Sequence, residues 1–218
     1  MKILPPSVML SACLITTAQA DDQVSIRVSA LMSPPACTIV VTNSTLNMGT
    51  LIASRLNAQT STRLADQQTQ LTVSCPNSAA PGLLFKDLNA GTAIQPAVEP
   101  GVNWTQRELM GLGLYNNKPI GAWAIAIDTD GIRADGNPAS VLWSSTNDNP
   151  QWIKATDRWQ VIRPDNTAVY AFGTTLPQTL TSVSVPLKIS VALNAMNELN
   201  VSDKLSFSGT AEVTLKYY

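Results

Sequence analysis

The chain has no histidine. That excludes the Ser–His–Asp and Cys–His arrangements of nucleophilic catalysis and the imidazole ligands of most zinc sites. Charge is sparse, at 13% of residues, and nearly balanced, with a formal net charge of −1. Such a balance argues against nucleic acid as a partner. Aromatic residues make up 6% and cysteines number three. No apolar run approaches the ~20 residues that a membrane-spanning helix needs. Paired carboxylates are a remaining route to glycoside hydrolysis, but Glu99, Glu108, Glu198 and Glu212 lie in no recognisable motif. The expectation is a non-enzyme with no cofactor and no metal.

What is present begins with an export signal. Lys2 gives a short positive start, Val8 to Ile15 is apolar, and Ala18-Gln19-Ala20 is an A-x-A site that places cleavage between Ala20 and Asp21. Residues 1–20 are thus expected to be a signal peptide, although Pro5 and Pro6 are unusual so early. Leu10-Ser11-Ala12-Cys13 resembles a bacterial lipobox, which would instead place a lipid on Cys13. Cleavage after Ala20 removes one base and no acid, so the exported chain is slightly acidic. It is long enough for one sizeable core. Two cysteines then remain, Cys37 and Cys75. An even count in an exported chain points to one disulfide, worth about 4 kcal/mol for a loop of this size. Two unpaired buried thiols are the alternative.

The most ordered pattern lies at the end of the sequence. From Leu205 to Tyr217 the odd positions are Leu205, Phe207, Gly209, Ala211, Val213, Leu215 and Tyr217. The even ones are Ser206, Ser208, Thr210, Glu212, Thr214 and Lys216. Successive strand side chains point to opposite faces, so this reads as a strand with one buried and one wet face. Only Tyr218 breaks the alternation. A final strand with a bare edge is an aggregation hazard, and another protein is expected to cover it. A second alternating stretch, Asp21 to Ser33, carries Val24, Ile26, Val28 and Ala30 on one face, and Pro34-Pro35 fences it off. It either pairs within its own domain or leaves it for a neighbour.

Between these ends the sequence reads as short strands and turns. Candidates are Cys37–Val41, Thr69–Cys75, Leu83–Leu88, Leu109–Tyr115, Ile120–Ile127, Val141–Trp143, Trp152–Ile162, Ala168–Phe172 and Val183–Leu193. Pro76 to Pro81 reads as a loop, and one short helix is allowed near Arg63 to Gln68. Pro186, on the polar face of its strand, suggests an edge position. Asp128-Thr129-Asp130-Gly131 with Asp135-Gly136 faintly resembles a calcium loop but lacks its glutamate, so Asp-Gly hairpin turns are the expectation. Trp104, Trp123, Trp143, Trp152 and Trp159 are expected in the core, with sugar stacking as the alternative. The fold class is an all-β sandwich of one domain.

Proline-flanked Cys37, Gly49 downstream, Cys75 ending an alternating strand, and the alternating C-terminus with Tyr217 resemble the pilin pattern of chaperone–usher fimbriae. Gly111-Leu112-Gly113-Leu114-Tyr115, Ile120-Gly121-Ala122-Trp123 and Asp130-Gly131 are similar to a family of periplasmic proteins encoded beside fimbrial chaperones and ushers. The resemblance implies an Ig-like, pilin-like sandwich over residues 36–218 that lacks its last strand, preceded by an N-terminal extension over residues 21–35. A periplasmic chaperone, an outer-membrane usher and other pilus subunits are the implied partners. The implied route runs from periplasm to fimbrium and cell surface. Val24, Ile26, Val28 and Ala30 would be the donor strand. Gly209, Ala211, Val213, Leu215 and Tyr217 would line the strand that pairs with the chaperone, although Gly209 stands nearer the C-terminus than is usual for that motif. The alternative function is a self-contained periplasmic or surface binding module, such as a carbohydrate-binding adhesin.

Overall fold

A computed structural model describes residues 37–49, 51–52, 56–95, 104–201 and 205–218. The expected signal peptide with its Ala20/Asp21 junction, Cys13, and the donor set Val24, Ile26, Val28 and Ala30 lie outside the described residues.

In chain order the strands are β1 (Thr38–Val41), β2 (Thr62–Arg63), β3 (Gln67–Ala79), β4 (Pro81–Asp87), β5 (Met110–Gly111), β6 (Leu114–Tyr115), β7 (Lys118–Pro119) and β8 (Gly121–Asp128). There follow β9 (Arg133–Ala134), β10 (Asn137–Pro138), β11 (Val141–Ser144), β12 (Ile153–Lys154), β13 (Trp159–Val161), β14 (Asp165–Phe172), β15 (Leu180–Leu193) and β16 (Ala211–Tyr217). Among the described residues helix is confined to a 3-10 turn, Gln106–Glu108, and a single turn α1, Met196–Leu199.

Two antiparallel sheets pack face to face around one core. The first runs β1-β3-β15-β8-β13, with β2, β5, β9 and β10 attached; the second runs β12-β11-β14-β4-β16. Alternation explains which residues meet. Leu71 and Val73 of β3, Val183, Val185, Leu187 and Ile189 of β15, and Trp123, Ile125 and Ile127 of β8 point inward from the first sheet. Leu83 and Phe85 of β4 and Tyr170 and Phe172 of β14 meet them from the second. Phe85 and Tyr170 pack edge to face with centroids 6.0 Å apart. The outer face of β8 is built from Ala122 and Ala124, small enough for Trp104 and Leu109 to lie over it. Cys37 and Cys75 form the expected disulfide and tie the start of β1 to the centre of β3.

Four local expectations are corrected. The allowed helix near Arg63–Gln68 is β2 and the start of β3, because Thr62–Arg63 pair with the end of β15. Pro76–Pro81 is not a loop: β3 continues to Ala79 and β4 starts at Pro81. Pro186 sits in a central strand. It faces Gln70 of β3 on one side; on the other it falls in the gap between the pairings of β15 with β9 and with β8, where no donor is needed. The C-terminal strand is shorter than its alternation, because β4 ends at Asp87 and its ladder with β16 covers only Ala211–Tyr217.

Candidate strand-accepting edge

Among the described residues β16 pairs with β4 alone, in the register Ala211↔Asp87 to Tyr217↔Pro81. Just outside it, the Leu88 N–H donates to the Thr210 carbonyl at 2.9 Å, and the Tyr218 N–H donates to the Ala80 carbonyl at 3.1 Å. Hydrogen-bonded pairs alternate along an antiparallel ladder, so these two bonds fix the phase. Even positions of β16 bond to β4. Odd positions direct their N–H and C=O groups to the open edge. Those same odd residues carry the apolar side chains.

The side chains are only partly covered. Ala211, Val213, Leu215 and Tyr217 are half-buried, as are Leu205, Phe207 and Gly209 before them, while Ser206, Ser208, Thr210, Glu212 and Thr214 are exposed. Next door in β4, Leu83 and Phe85 are 0% exposed. The edge of the facing sheet repeats the contrast. Cys37, Ile39 and Val41 are half-buried, whereas Leu71 and Val73 of β3 are 0% exposed. The two edges lie on the same side of the sandwich, because the Cys37 N–H donates to the Tyr217 hydroxyl at 3.0 Å. Each sheet therefore presents apolar residues along one shared side that neither covers completely.

The other end of this side is closed by close packing. Ahead of β16, Gly209 lies directly against the indole of Trp123 in the first sheet. The indole N–H donates to the Gly111 carbonyl at 3.1 Å, which fixes the ring. The usable edge is thus the length of β16, between Trp123 and Cys37. Gly49, singled out in the sequence, has φ +72° and its N–H donates to Asn47 Oδ1. It turns the chain after β1, and Leu46, Met48 and Leu51 around it pack on the core.

The remaining sequence candidates have structural roles. Trp104 and Trp123 are buried; Trp143, Trp152 and Trp159 are half-buried, with Arg163 over Trp143 and Lys188 3.8 Å over Trp159. Burial lowers the Lys188 pKa below its ordinary value. Asp128 and Asp130 pair with Arg158. Asp135-Gly136 is the hairpin turn between β9 and β10, with φ +47° and +81°. The Asp135 carboxylate accepts bonds from the Thr181 hydroxyl and N–H and the Ser182 N–H, which hold its pKa below the ordinary range. Burial raises the pKa of Asp165, but the N–H groups of Ala168 and Thr167 outweigh it and the net shift is downward.

The chain is 26% identical to the uncharacterized protein YhcF of Escherichia coli (strain K12), across 95% of each chain. No family model matches it.

Sequence reasoning missed what holds β16 from outside. Lys216 Nζ donates to the carbonyl and Oδ1 of Asn147 and to Asp148, and Tyr218 packs on Trp152. The one available signal was Tyr218 itself, an aromatic residue at an even position.

Proposed function

We propose that the chain is a structural or minor subunit of a chaperone–usher fimbria, assembled by β-strand donation. The observation that carries this reading is the outer edge of β16, where residues whose main-chain groups meet no partner among the described residues also bear half-buried apolar side chains. An added strand needs both: main-chain groups give affinity, and alternate side chains give pockets. In this reading residues 1–20 are removed on export, residues 21–35 are the donated extension, and residues 36–218 are the accepting body.

Two features favour donation between copies over retention. Val24 to Ala30 spans the same number of positions as Ala211 to Tyr217, with apolar residues at alternate places in both. Cys37, to which that segment is joined, also lies beside Tyr217. Turning back along its own β16, the segment would run parallel to that strand. Donated to another copy, it is free to run antiparallel, the slightly more stable pairing. A contact made this way is head-to-tail and builds an open fibre. Before donation, a periplasmic chaperone covers the edge and an outer-membrane usher hands subunits on. The similarity to YhcF is neutral, since that protein is itself uncharacterized.

The test is periplasmic expression with and without a fimbrial chaperone. Alone, the chain is expected to aggregate or be degraded; with the chaperone it is recovered as a one-to-one complex. Deleting residues 21–33 is expected to leave that complex intact and abolish polymers. A long-lived monomer indifferent to the chaperone would overturn the reading.

A further inference from the structure

The centre of the second sheet is buried on its outer face as well as its inner one. Leu84, Leu142, Val169 and Ala171 point away from the core, yet each is 6% exposed or less. Part of their cover comes from Tyr218. Its ring lies over Gly82 and Val169, so close that a Cβ on Gly82 would sit 2.7 Å from the ring. Trp152 meets the ring edge to face at 5.0 Å. Its loop is held by Ser144, buried, whose hydroxyl oxygen accepts the Gln151 and Thr146 N–H groups. Lys216 Nζ donates to Asn147 Oδ1 at 2.9 Å and Asp148 Oδ1 at 3.1 Å. Asn147 is anchored in turn by donating its Nδ2–H to the Asn166 carbonyl at 3.0 Å.

We infer that Tyr218 and Lys216, gripped by Trp152 and the Asn147–Asp148 loop, form a latch that holds β16 in register while no described residue pairs with its other edge. A strand with a ladder on one side only is prone to fray from its end. Here the end is fastened by even-numbered residues on the outer face of the sheet, away from the odd-numbered apolar side chains of the edge, so an occupant on that edge can come and go without loosening the fastening. The latch is independent of what the open edge accepts, because its contacts lie entirely within this chain.

Amide hydrogen exchange on the purified exported chain tests this, read by residue. In the native chain the amides of Glu212, Thr214 and Lys216, which bond to β4, are protected, while those of Val213 and Leu215 exchange fast. Tyr218→Ala or Trp152→Ala is expected to speed exchange at the even positions about tenfold, the scale of losing one aromatic pair. Amides of Leu71, Val73, Val183 and Val185 keep their protection, and Tyr218→Phe, which retains the ring, behaves as the native chain. If Trp152→Ala fails to fold, Tyr218→Ala carries the test alone. Unchanged exchange in β16, or an equal rise through β3 and β15, would overturn the latch.

Discussion

Gly209 lies flat on the indole of Trp123: a Cβ at residue 209 would fall 2.7 Å from Cε2 and 2.8 Å from Cδ1. The backbone at 209 does not need glycine for its torsions; the space does. Trp123 cannot retreat easily, because it is buried and its N–H is committed to Gly111. Gly209→Ala is therefore expected to cost about 1–3 kcal/mol, the usual range for overpacking, and Gly209→Val more. Urea unfolding followed by tryptophan fluorescence reads both the loss and the disturbed indole.

The disulfide offers a second check. Cys75→Ser removes the link between β1 and β3 and is expected to cost about 2–5 kcal/mol, as in other exported domains. The same loss should follow reduction of the native protein, and reduction should leave the variant unchanged. Thermal unfolding with and without dithiothreitol measures it.

Acid sensitivity follows from the carboxylates. The Asp135 pKa is held below 3.8 chiefly by the Thr181 hydroxyl, then by the Ser182 and Thr181 N–H groups. A group whose folded pKa is depressed contributes stability above its unfolded pKa and loses it as pH falls through the folded one. Stability is thus expected to fall below about pH 4, and Asp135→Asn to flatten part of that fall. With no histidine in the chain, no side chain of ordinary pKa titrates between about pH 5 and pH 8, and the curve should be level there. Chemical denaturation at a series of pH values checks both statements.

The proposed accepting edge predicts a parity effect. Val213→Glu places a carboxylate among half-buried apolar neighbours, whereas Thr214→Glu places one on an exposed face. The first is expected to abolish recovery of a chaperone complex, and the second to leave it intact. Co-purification of the two variants from the periplasm distinguishes them. Equal recovery would place the contact elsewhere.

Much of this architecture was legible in the residues, and the reason is periodicity. The alternations in Val183–Leu193 and Leu205–Tyr217 place the same residues inward in the structure. Cysteine parity gave the bridge. Legibility failed where the deciding partner is distant in sequence. Nothing local to Pro186 reveals that the gap between β9 and β8 spares it a donor. Thr62–Arg63 become a strand only because the end of β15 arrives beside them. The outer cover of the second sheet escaped for the same reason, since Tyr218 and Trp152 are far apart in the chain. Gly209 was noticed for its place in a motif, but its contact with Trp123 crosses between sheets and has no sequence signature.

The bridge also sets the mechanics of the chain. Cys37 is at once the neighbour of Tyr217 and one end of the disulfide to β3. Tension applied through the residues before it would not peel β1 away bond by bond. It would pass through the sulfurs into Cys75, which lies in a strand flanked by β1 and β15. A load arriving at the N-terminal side is thereby shared across the sheet, so the edge strand is shielded from unzipping.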